Sequence, residues 1–422
     1  MAKKYYSLYD RMLHEKGLLQ AFAKVKSNKG KPGIDGQTVE GFAAQLPEEI
    51  ARLANELRDK SYRPQPVKRI EIDKPDGGKR LLGIPAVRDR VVQQTLLNIL
   101  QPIFDPEFHP SSYGYRPKRS SHQAIAKASL FIRRYQLKWV VDMDLSRCFD
   151  TLNHDRILKS FRRKIADGSI LELLQKFLHS GVMTTEGWQA NQEGSPQGGV
   201  ISPLIANVYL DDFDQYMKSR GHRIVRYADD ILILTRSKSA ARNAFNIARN
   251  YLEGELLLTI NEHKSSIVHS SQGVNYLGVM IRTSYTRIKR EKIRAFKDKV
   301  KRITQRNSPV NLEKVITDLN PVCRGFANYF RVANCKTEFK ALMQWIRRRL
   351  RAKQLNLWKK PKRLHRRLRQ LGYQGEFMAI KMSSWHNSAS NLAHYSMPNS
   401  YFRKLGLFEL DSVQTGYLPQ QY

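Results

Sequence analysis

Residues Arg226–Leu234, RYADDILIL, set two adjacent carboxylates between two apolar runs. Val225–Tyr227 and Ile231–Leu234 read as short strands, with Ala-Asp-Asp as the tip of a tight hairpin. Adjacent acids repel each other and are costly to take out of water. By itself an Asp-Asp turn is most simply a solvated turn, since Asp favours such positions. Asp229 and Asp230 gain a purpose beside a hydrophobic sheet if a divalent cation neutralises them. Mg²⁺ takes hard oxygen ligands, usually one or two carboxylates plus substrate phosphates.

One hairpin is too little for two metal ions, so another acid is expected to converge on it. KWVVDMDL, Lys138–Leu145, reads as a buried strand ending in acids. Asp144 is the best placed of them. Asp142 is the same-face alternative two residues earlier, and Asp150 lies past the strand. A sheet that lays this strand beside the hairpin brings Asp144 towards Asp229 over a separation of 85 positions. Two metal ions about 4 Å apart at such a place suit an in-line phosphoryl displacement.

Outward from this pair the first two-thirds of the chain is mixed α and β. Leu18, Leu19, Phe22 and Val25 fall on one face of a helix that ends in the Gly-rich Asn28–Gly36. VKRIEIDKPDGGKRLLGIP, Val67–Pro85, reads as a hairpin turning at Asp76-Gly77-Gly78. Helical spacing runs over Arg88–Phe104. A Gly-rich bend spans Gly194–Pro203, with Ser202 as the N-cap and Pro203 as the first residue of a helix reaching Tyr216. NYLGVMI, Asn275–Ile281, reads as one strand.

The chain has 422 residues, and 73 Lys+Arg against 38 Asp+Glu give a formal charge of +35. A hydrophobic content of 41% is that of a folded protein, so the charge belongs to a surface with a polyanionic partner. Nucleic acid is favoured over a membrane, because no basic amphipathic anchor, lipidation signal or long apolar run is present. Cys148, Cys323 and Cys335 show no pairing or metal-binding spacing, which suits a reducing compartment and argues against zinc. MAKKYYSLYD lacks the apolar core of a signal peptide. The expected location is cytoplasmic, at the nucleoid when the protein works on DNA.

Over residues 286–370 there are 27 Lys and Arg against 5 Asp and Glu. Arg347, Arg348, Arg349 and Arg351 precede Lys359, Lys360, Arg366 and Arg367. A helix carrying such a run shows cations on more than one face, with almost no acids interleaved for i,i+4 pairing. An irregular RNA contacted on several sides fits this better than a regular duplex. Trp345, Trp358, Phe326, Tyr329 and Phe330 are expected to serve mainly as core.

Motifs in order along the chain carry a family resemblance: NKGKPGIDG, YRPQPVKRIEIDKPDGGKRLLGIPAVRDRVVQQ, SSYGYRPKRSSHQA, DMDLSRCFDTLNHD, GSPQGGVISPLIANVYLDD, RYADDILIL, LTINEHKS and NYLGVMI. With the basic RGFANYFRVAN and WIRRRLRAKQLNLWKKPKR, the chain resembles bacterial group II intron-encoded reverse transcriptases and maturases of the endonuclease-lacking type. The resemblance implies an α+β right-hand polymerase: fingers and palm with an antiparallel palm sheet over 1–283, an α-helical thumb or maturase segment over 284–372, and a small C-terminal DNA-binding region over 373–422. It implies Asp144, Asp229 and Asp230 as the acidic triad with the Leu145 carbonyl as a further metal ligand, two Mg²⁺ ions as cofactors and Mn²⁺ as a substitute. Phe149 matches the steric gate that selects deoxynucleotides. Lys74, Arg80 and Gln197 match residues that bind the incoming dNTP, and Lys264 matches a palm lysine with no assigned role. Ser146-Arg147-Cys148 stands where relatives often carry Lys-Gly-Phe, between catalytic positions.

The partners implied are the parent intron RNA, an RNA template with a DNA primer or target DNA, and dNTPs, with no membrane. The activity implied is RNA-directed DNA polymerisation together with splicing assistance and intron mobility by target-primed reverse transcription. Second-strand nicking is not expected from this chain, since nothing after Tyr373 resembles an H-N-H endonuclease. Two other functions share these motifs in part: a domesticated reverse transcriptase in phage defence or DNA repair, and an RNA-binding splicing cofactor without polymerase activity.

Overall fold

The computed structural model describes residues 4–73, 79–184, 187–191, 193–195, 198–375 and 387–419, the side chain of Arg80 excepted. The chain divides into two compact units, residues 1–269 and 270–421. Among the described residues, eleven strands form three sheets.

The central sheet of the first unit is built from β3 (Trp139–Met143), β6 (Arg223–Tyr227), β7 (Asp230–Thr235) and β8 (Ser266–His269), in the order β6-β7-β3-β8. All its pairings are antiparallel. Side chains alternate between faces along each strand. One face, with Val141, Met143, Ile224, Ile231 and Ile233, lies in the main hydrophobic core with Phe213 and Met217 of the helix Ser202–Ser219 and Ala241, Ala244 and Ala248 of the helix Lys238–Asn250. Each Ile or Leu wholly buried in this way contributes about 2 kcal/mol. This packing fixes the register, since a slip of one residue would turn the whole apolar set outward.

The other sheet of this unit runs β2-β1-β4-β5, from β1 (Val67–Asp73), β2 (Lys79–Ile84), β4 (Val182–Thr184) and β5 (Gly187–Gln189). β1 and β2 form the expected hairpin, with Asp73 paired to Lys79. Its turn, Asp76-Gly77-Gly78, lies outside the described residues. The helix after the Gly-rich bend starts at Ser202 itself, with Ile201 as its N-cap and Pro203 in its first turn. Ser202 therefore lies one place further into the helix than its cap chemistry suggested, and its hydroxyl accepts from that of Ser195 at 2.7 Å.

The second unit opens with a three-stranded sheet, β9 (Val274–Tyr276), β10 (Val279–Ile281) and β11 (Thr286–Ile288). The single strand expected over Asn275–Ile281 is a hairpin: Tyr276 pairs with Val279 around Leu277-Gly278, both at positive φ. The apolar run hid a two-residue turn whose only overt mark is the glycine. Helices Arg290–Ile303, Leu312–Phe330, Lys336–Trp358 and Pro361–Gln370 follow, with short helices Asn391–Ser396 and Asn399–Lys404. Lys336–Trp358 buries Phe339, Leu342, Met343, Ile346 and Leu350, the three- and four-residue spacing of one helical face.

Candidate functional site

The central sheet brings the two acidic motifs to one end. Met143 of β3 pairs with Ile231 of β7. Extending this register by one residue sets Asp144 opposite Asp230, and by two sets Leu145 opposite Asp229. Directly opposed residues share a face, so Asp144 and Asp230 project on the same side. Asp142 is held inside the sheet, opposite Leu232 on one side and Ser266 on the other.

Asp144 is gripped by the turn that precedes β8. Its N–H donates to Ser265 Oγ at 3.1 Å and its carbonyl accepts from the Asn261 N–H at 2.8 Å. Asn261 Nδ2 donates to Asp144 Oδ2 at 3.2 Å. Lys264 lies inside this same turn, its N–H donating to the Asn261 carbonyl. Leu145 forms an antiparallel bridge with Ile260, closed by the bonds Asn261 N–H to Asp144 and Ser146 N–H to Thr259. In that pattern the peptide groups of Leu145 point away from Ile260, towards the hairpin side.

The hairpin itself turns on two residues, because Tyr227 already pairs with Asp230. Ala228 takes a positive φ of 58°. A non-glycine residue there costs about 1–2 kcal/mol. The turn is braced from two sides. Arg226 Nη1 donates to the Ala228 carbonyl at 3.0 Å, and Gly114 lies so close that a Cβ on it would come within 2.3 Å of the Ala228 nitrogen. Asp229 is half-buried and Asp230 exposed. Asp229 stands near the loop after Asp144: burial first, then the Asp229 carboxylate, pushes the buried Cys148 thiol far above its ordinary range.

Phe149 sits in that loop, buried, with its ring edge-on to exposed Tyr115 at 6.2 Å. Its carbonyl accepts the Ser195 N–H at 2.7 Å, which ties it to the Gly-rich bend. Further along the bend, a Cβ on Gly198 would fall 2.3 Å from the Gly83 carbonyl of β2. The bend therefore presses backbone to backbone on the strand that carries Arg80, which pairs with Ile72. Lys74 and Gln197 lie outside the described residues.

Among the described residues no three His, Cys, Asp or Glu side chains gather closely enough to hold a metal ion by themselves. The donors available at the sheet end are the carboxylates of Asp144, Asp229 and Asp230 and the Leu145 carbonyl, whose peptide points away from Ile260. Hard oxygens of this kind suit Mg²⁺, which completes its shell with water and substrate phosphate.

The basic helices divide by burial. Arg347 is buried, its Nη2 donating to Glu409 and its Nη1 to Asp411, both at 2.9 Å. Arg351 is buried too, donating to the Met397 carbonyl at 3.0 Å and to Asn399 at 3.1 Å. Burial, and then Arg347, pulls it down to about 10. Arg349 donates to Thr304 Oγ1 at 2.6 Å. These three were expected to face RNA; they are instead committed to internal partners, because they share a helix with the apolar stripe. Arg348, Lys359, Lys360 and Arg366 are exposed. Arg366 and Arg367, with Arg363, Trp358 and Tyr401, line a cleft of about 380 Å³. Of the aromatics expected as core, Phe330 is buried, while Phe326, Tyr329, Trp345 and Trp358 are half-buried, Phe326 stacking on buried Phe296 at 4.1 Å.

With the acidic sheet end and the basic unit in view, comparison with known proteins settles the family. The reverse transcriptase (RNA-dependent DNA polymerase) family matches residues 72–281, and the group II intron maturase-specific domain matches residues 293–372. The protein YkfC of Escherichia coli is 36% identical over 62% of this chain and 79% of its own length. The chain belongs to the group II intron reverse transcriptases and maturases. The group II intron-encoded protein LtrA of Lactococcus lactis is 29% identical over 78% of this chain and 70% of its own. A putative COX1/OXI3 intron 2 protein of Saccharomyces cerevisiae is 28% identical over 63% of this chain and 38% of its own.

As a member of this family the chain is an RNA-directed DNA polymerase with a splicing maturase domain, acting on intron RNA and nucleic-acid substrates. The fold is the α+β reverse transcriptase fold with a helical C-terminal part. The family is one of divalent-metal nucleotidyltransferases. Among the described residues no helix is long and apolar enough to cross a membrane.

Sequence reasoning missed Asn261 and Ser265, which fix Asp144, although both lie in the quoted LTINEHKS. It also missed Arg226, Asp214 and Asn207 beneath the hairpin. Asp214 gave a usable signal: it falls among Leu210, Phe213 and Met217 on the buried face of its helix, where an acid requires a partner.

Proposed function

We propose that Asp144 and Asp229, with Asp230 and the Leu145 carbonyl beside them, hold two Mg²⁺ ions for templated DNA synthesis, with Mn²⁺ able to replace them. The observation that carries this reading is the register that brings the end of β3 to the tip of the β6–β7 hairpin. When bound, the metal ions supply charge neutralisation and an activated 3′-hydroxyl for in-line attack on the nucleotide phosphate. The protein's own part is to hold its carboxylates on rigid strand ends, so that little reorganisation accompanies the reaction.

Lys74 and Arg80 grip the triphosphate from the β1–β2 hairpin, and Gln197 meets the nucleotide from the bend. Phe149, braced by Tyr115 and Ser195, lies against the sugar and rejects a 2′-hydroxyl. Arg348, Lys359, Lys360, Arg366 and Arg367 contact the phosphates of the parent intron RNA, and the cleft beside Trp358 widens that surface. The substrates are an RNA template, a DNA primer at the target site and dNTPs, giving intron mobility by target-primed reverse transcription.

Primer extension on an RNA template tests the metal assignment. Asp229→Ala should fall at least about 10³-fold, the scale of several kcal/mol of lost charge stabilisation. Extension at the native rate by that variant would remove Asp229 from the active site.

A further inference from the structure

Arg226 and Asp214 are both 0% exposed and form a two-pronged ion pair. Arg226 Nε lies 2.9 and 2.8 Å from the two Asp214 carboxylate oxygens, and Nη2 lies 2.6 Å from one of them. Burial opposes the guanidinium charge most strongly, yet the charge and hydrogen bonds of Asp214, with Asp211 adding to them, hold Arg226 above its ordinary value. The remaining edge is also engaged: Nη1 donates to Asn207 Oδ1 and to the Ala228 carbonyl, both at 3.0 Å.

The arginine backbone is held as well. Its N–H donates to the Ser111 carbonyl and its carbonyl accepts from the Tyr113 N–H, each at 2.9 Å. Asn207 Nδ2 donates to the Gly114 carbonyl at 2.9 Å, and Gly114 is the residue pressed against the turn. One arginine therefore joins the helix Ser202–Ser219 and the carbonyl immediately before Asp229 through its guanidinium, and the loop 111–115 through its backbone. Fold stability alone gives little reason for such a pair, since well-packed apolar residues of similar volume commonly replace a buried ion pair without loss.

We infer that the buried Arg226–Asp214 pair is a positioning clamp, which sets the Asp229 carboxylate at metal-binding distance by fixing the Ala228 peptide. Arg226, Asp214 and Asn207 are positioning residues that touch no substrate. The inference rests on the reading of Asp229 as a metal ligand. It adds that the charge in the core serves the metal site rather than the fold.

The test is the double variant Arg226→Met/Asp214→Leu in the full chain. Its thermal midpoint, its affinity for a short RNA, and its primer-extension rate against Mg²⁺ and dNTP concentration are measured together. The expected result is a midpoint and an RNA affinity close to native, with a maximal rate about 100-fold lower. The Mg²⁺ concentration for half-maximal rate should rise about ten-fold, the usual scale for losing a residue that orients a ligand. The KM for dNTP should stay within about three-fold, since the clamp reaches the metal site and not the triphosphate.

A stable double variant with native rate and Mg²⁺ dependence overturns the inference. Should the double variant unfold, Arg226→Lys decides by the same readout. Lysine retains the charge beside Asp214 but cannot also span to Asn207 and Ala228. A native Mg²⁺ dependence in Arg226→Lys overturns the clamp. Asp229→Asn separates the two failures: if it too behaves as native, the metal assignment has failed, whereas its inactivity beside a native double variant defeats the clamp alone.

Discussion

Arg226 in the first unit and Arg347 in the second are both buried against carboxylates, yet they solve different problems. Arg226 is wholly enclosed, and one of its hydrogen bonds goes to the backbone of the Ala228 turn. Arg347 faces Glu409 and Asp411, which keep 18% and 27% of their side chains exposed, and it ties a long helix to the segment after residue 404. The lesson is that a cation's role follows from what lies beyond its carboxylate. Behind Asp214 stands the Asp229-Asp230 hairpin, proposed to hold the metal ions; behind Glu409 and Asp411 stands the segment after residue 404.

The largest effect that sharpens this contrast belongs to the first unit. Asp144→Ala should reduce primer extension by about 10³-fold or more with little change in the thermal midpoint, if the half-buried acid is the proposed metal ligand, since it lies at the strand end and outside the apolar core. Primer-extension rates and a thermal melt check both halves. Arg347→Ala should do the reverse. Loss of one partner from a largely buried network costs about 2–3 kcal/mol, less than for a fully enclosed pair because both acids keep some solvent. Denaturant unfolding measures it, and the salt dependence of RNA binding should be native. A flattened salt dependence would return Arg347 to the RNA surface.

A smaller effect is expected at the exposed cations. Each of Lys359→Ala, Lys360→Ala and Arg366→Ala should lower the slope of log affinity against log salt by about 1, which is three- to four-fold in affinity between about 50 and 200 mM salt. Filter binding to the intron RNA at several salt concentrations gives the slope, and the three losses should add. An unchanged slope would place that cation away from the phosphates.

A last effect is the share of two buried carboxyls in the pH dependence of stability. Burial pushes Asp89 up to about 6 despite the Tyr62 hydroxyl bonded to it at 2.5 Å. Burial and then Asp214 push Asp211 up to about 6 as well. Each holds a proton in the folded chain that the unfolded chain has already released above about pH 4. The contribution of these two groups should therefore fall as pH rises from about 4 to about 6, by on the order of 1 kcal/mol per pH unit and group, while His109, pushed down to about 4 by burial, contributes in the opposite sense across the same window. Chemical denaturation across this range reads it, and Asp211→Asn should remove its share.

How much of this was legible before the structure depends on the kind of signal. The sheet end was legible because alternation and turn chemistry are local: RYADDILIL declares its hairpin, and VVDMD declares a strand ending in acid. The register itself follows from two apolar faces that must both turn inward. Asn261 and Ser265 were not legible as partners of Asp144, since their contacts span more than a hundred positions, whereas Asp214 showed its need for a partner without showing which cation met it. In the basic unit, counting charges could not tell Arg348 from Arg347, because neighbours on a helix point about 100° apart and only packing shows which of them meets the apolar stripe. The turn at Leu277-Gly278 escaped for a related reason: a two-residue reversal inside an apolar run leaves the run looking continuous.

The contact between Gly198 and the Gly83 carbonyl has a mechanical meaning. It leaves no room for even a methyl group between the bend and β2. The strand that carries Arg80 and the bend at Gly198 thus meet backbone to backbone with no slack, and a push on either is felt by the other.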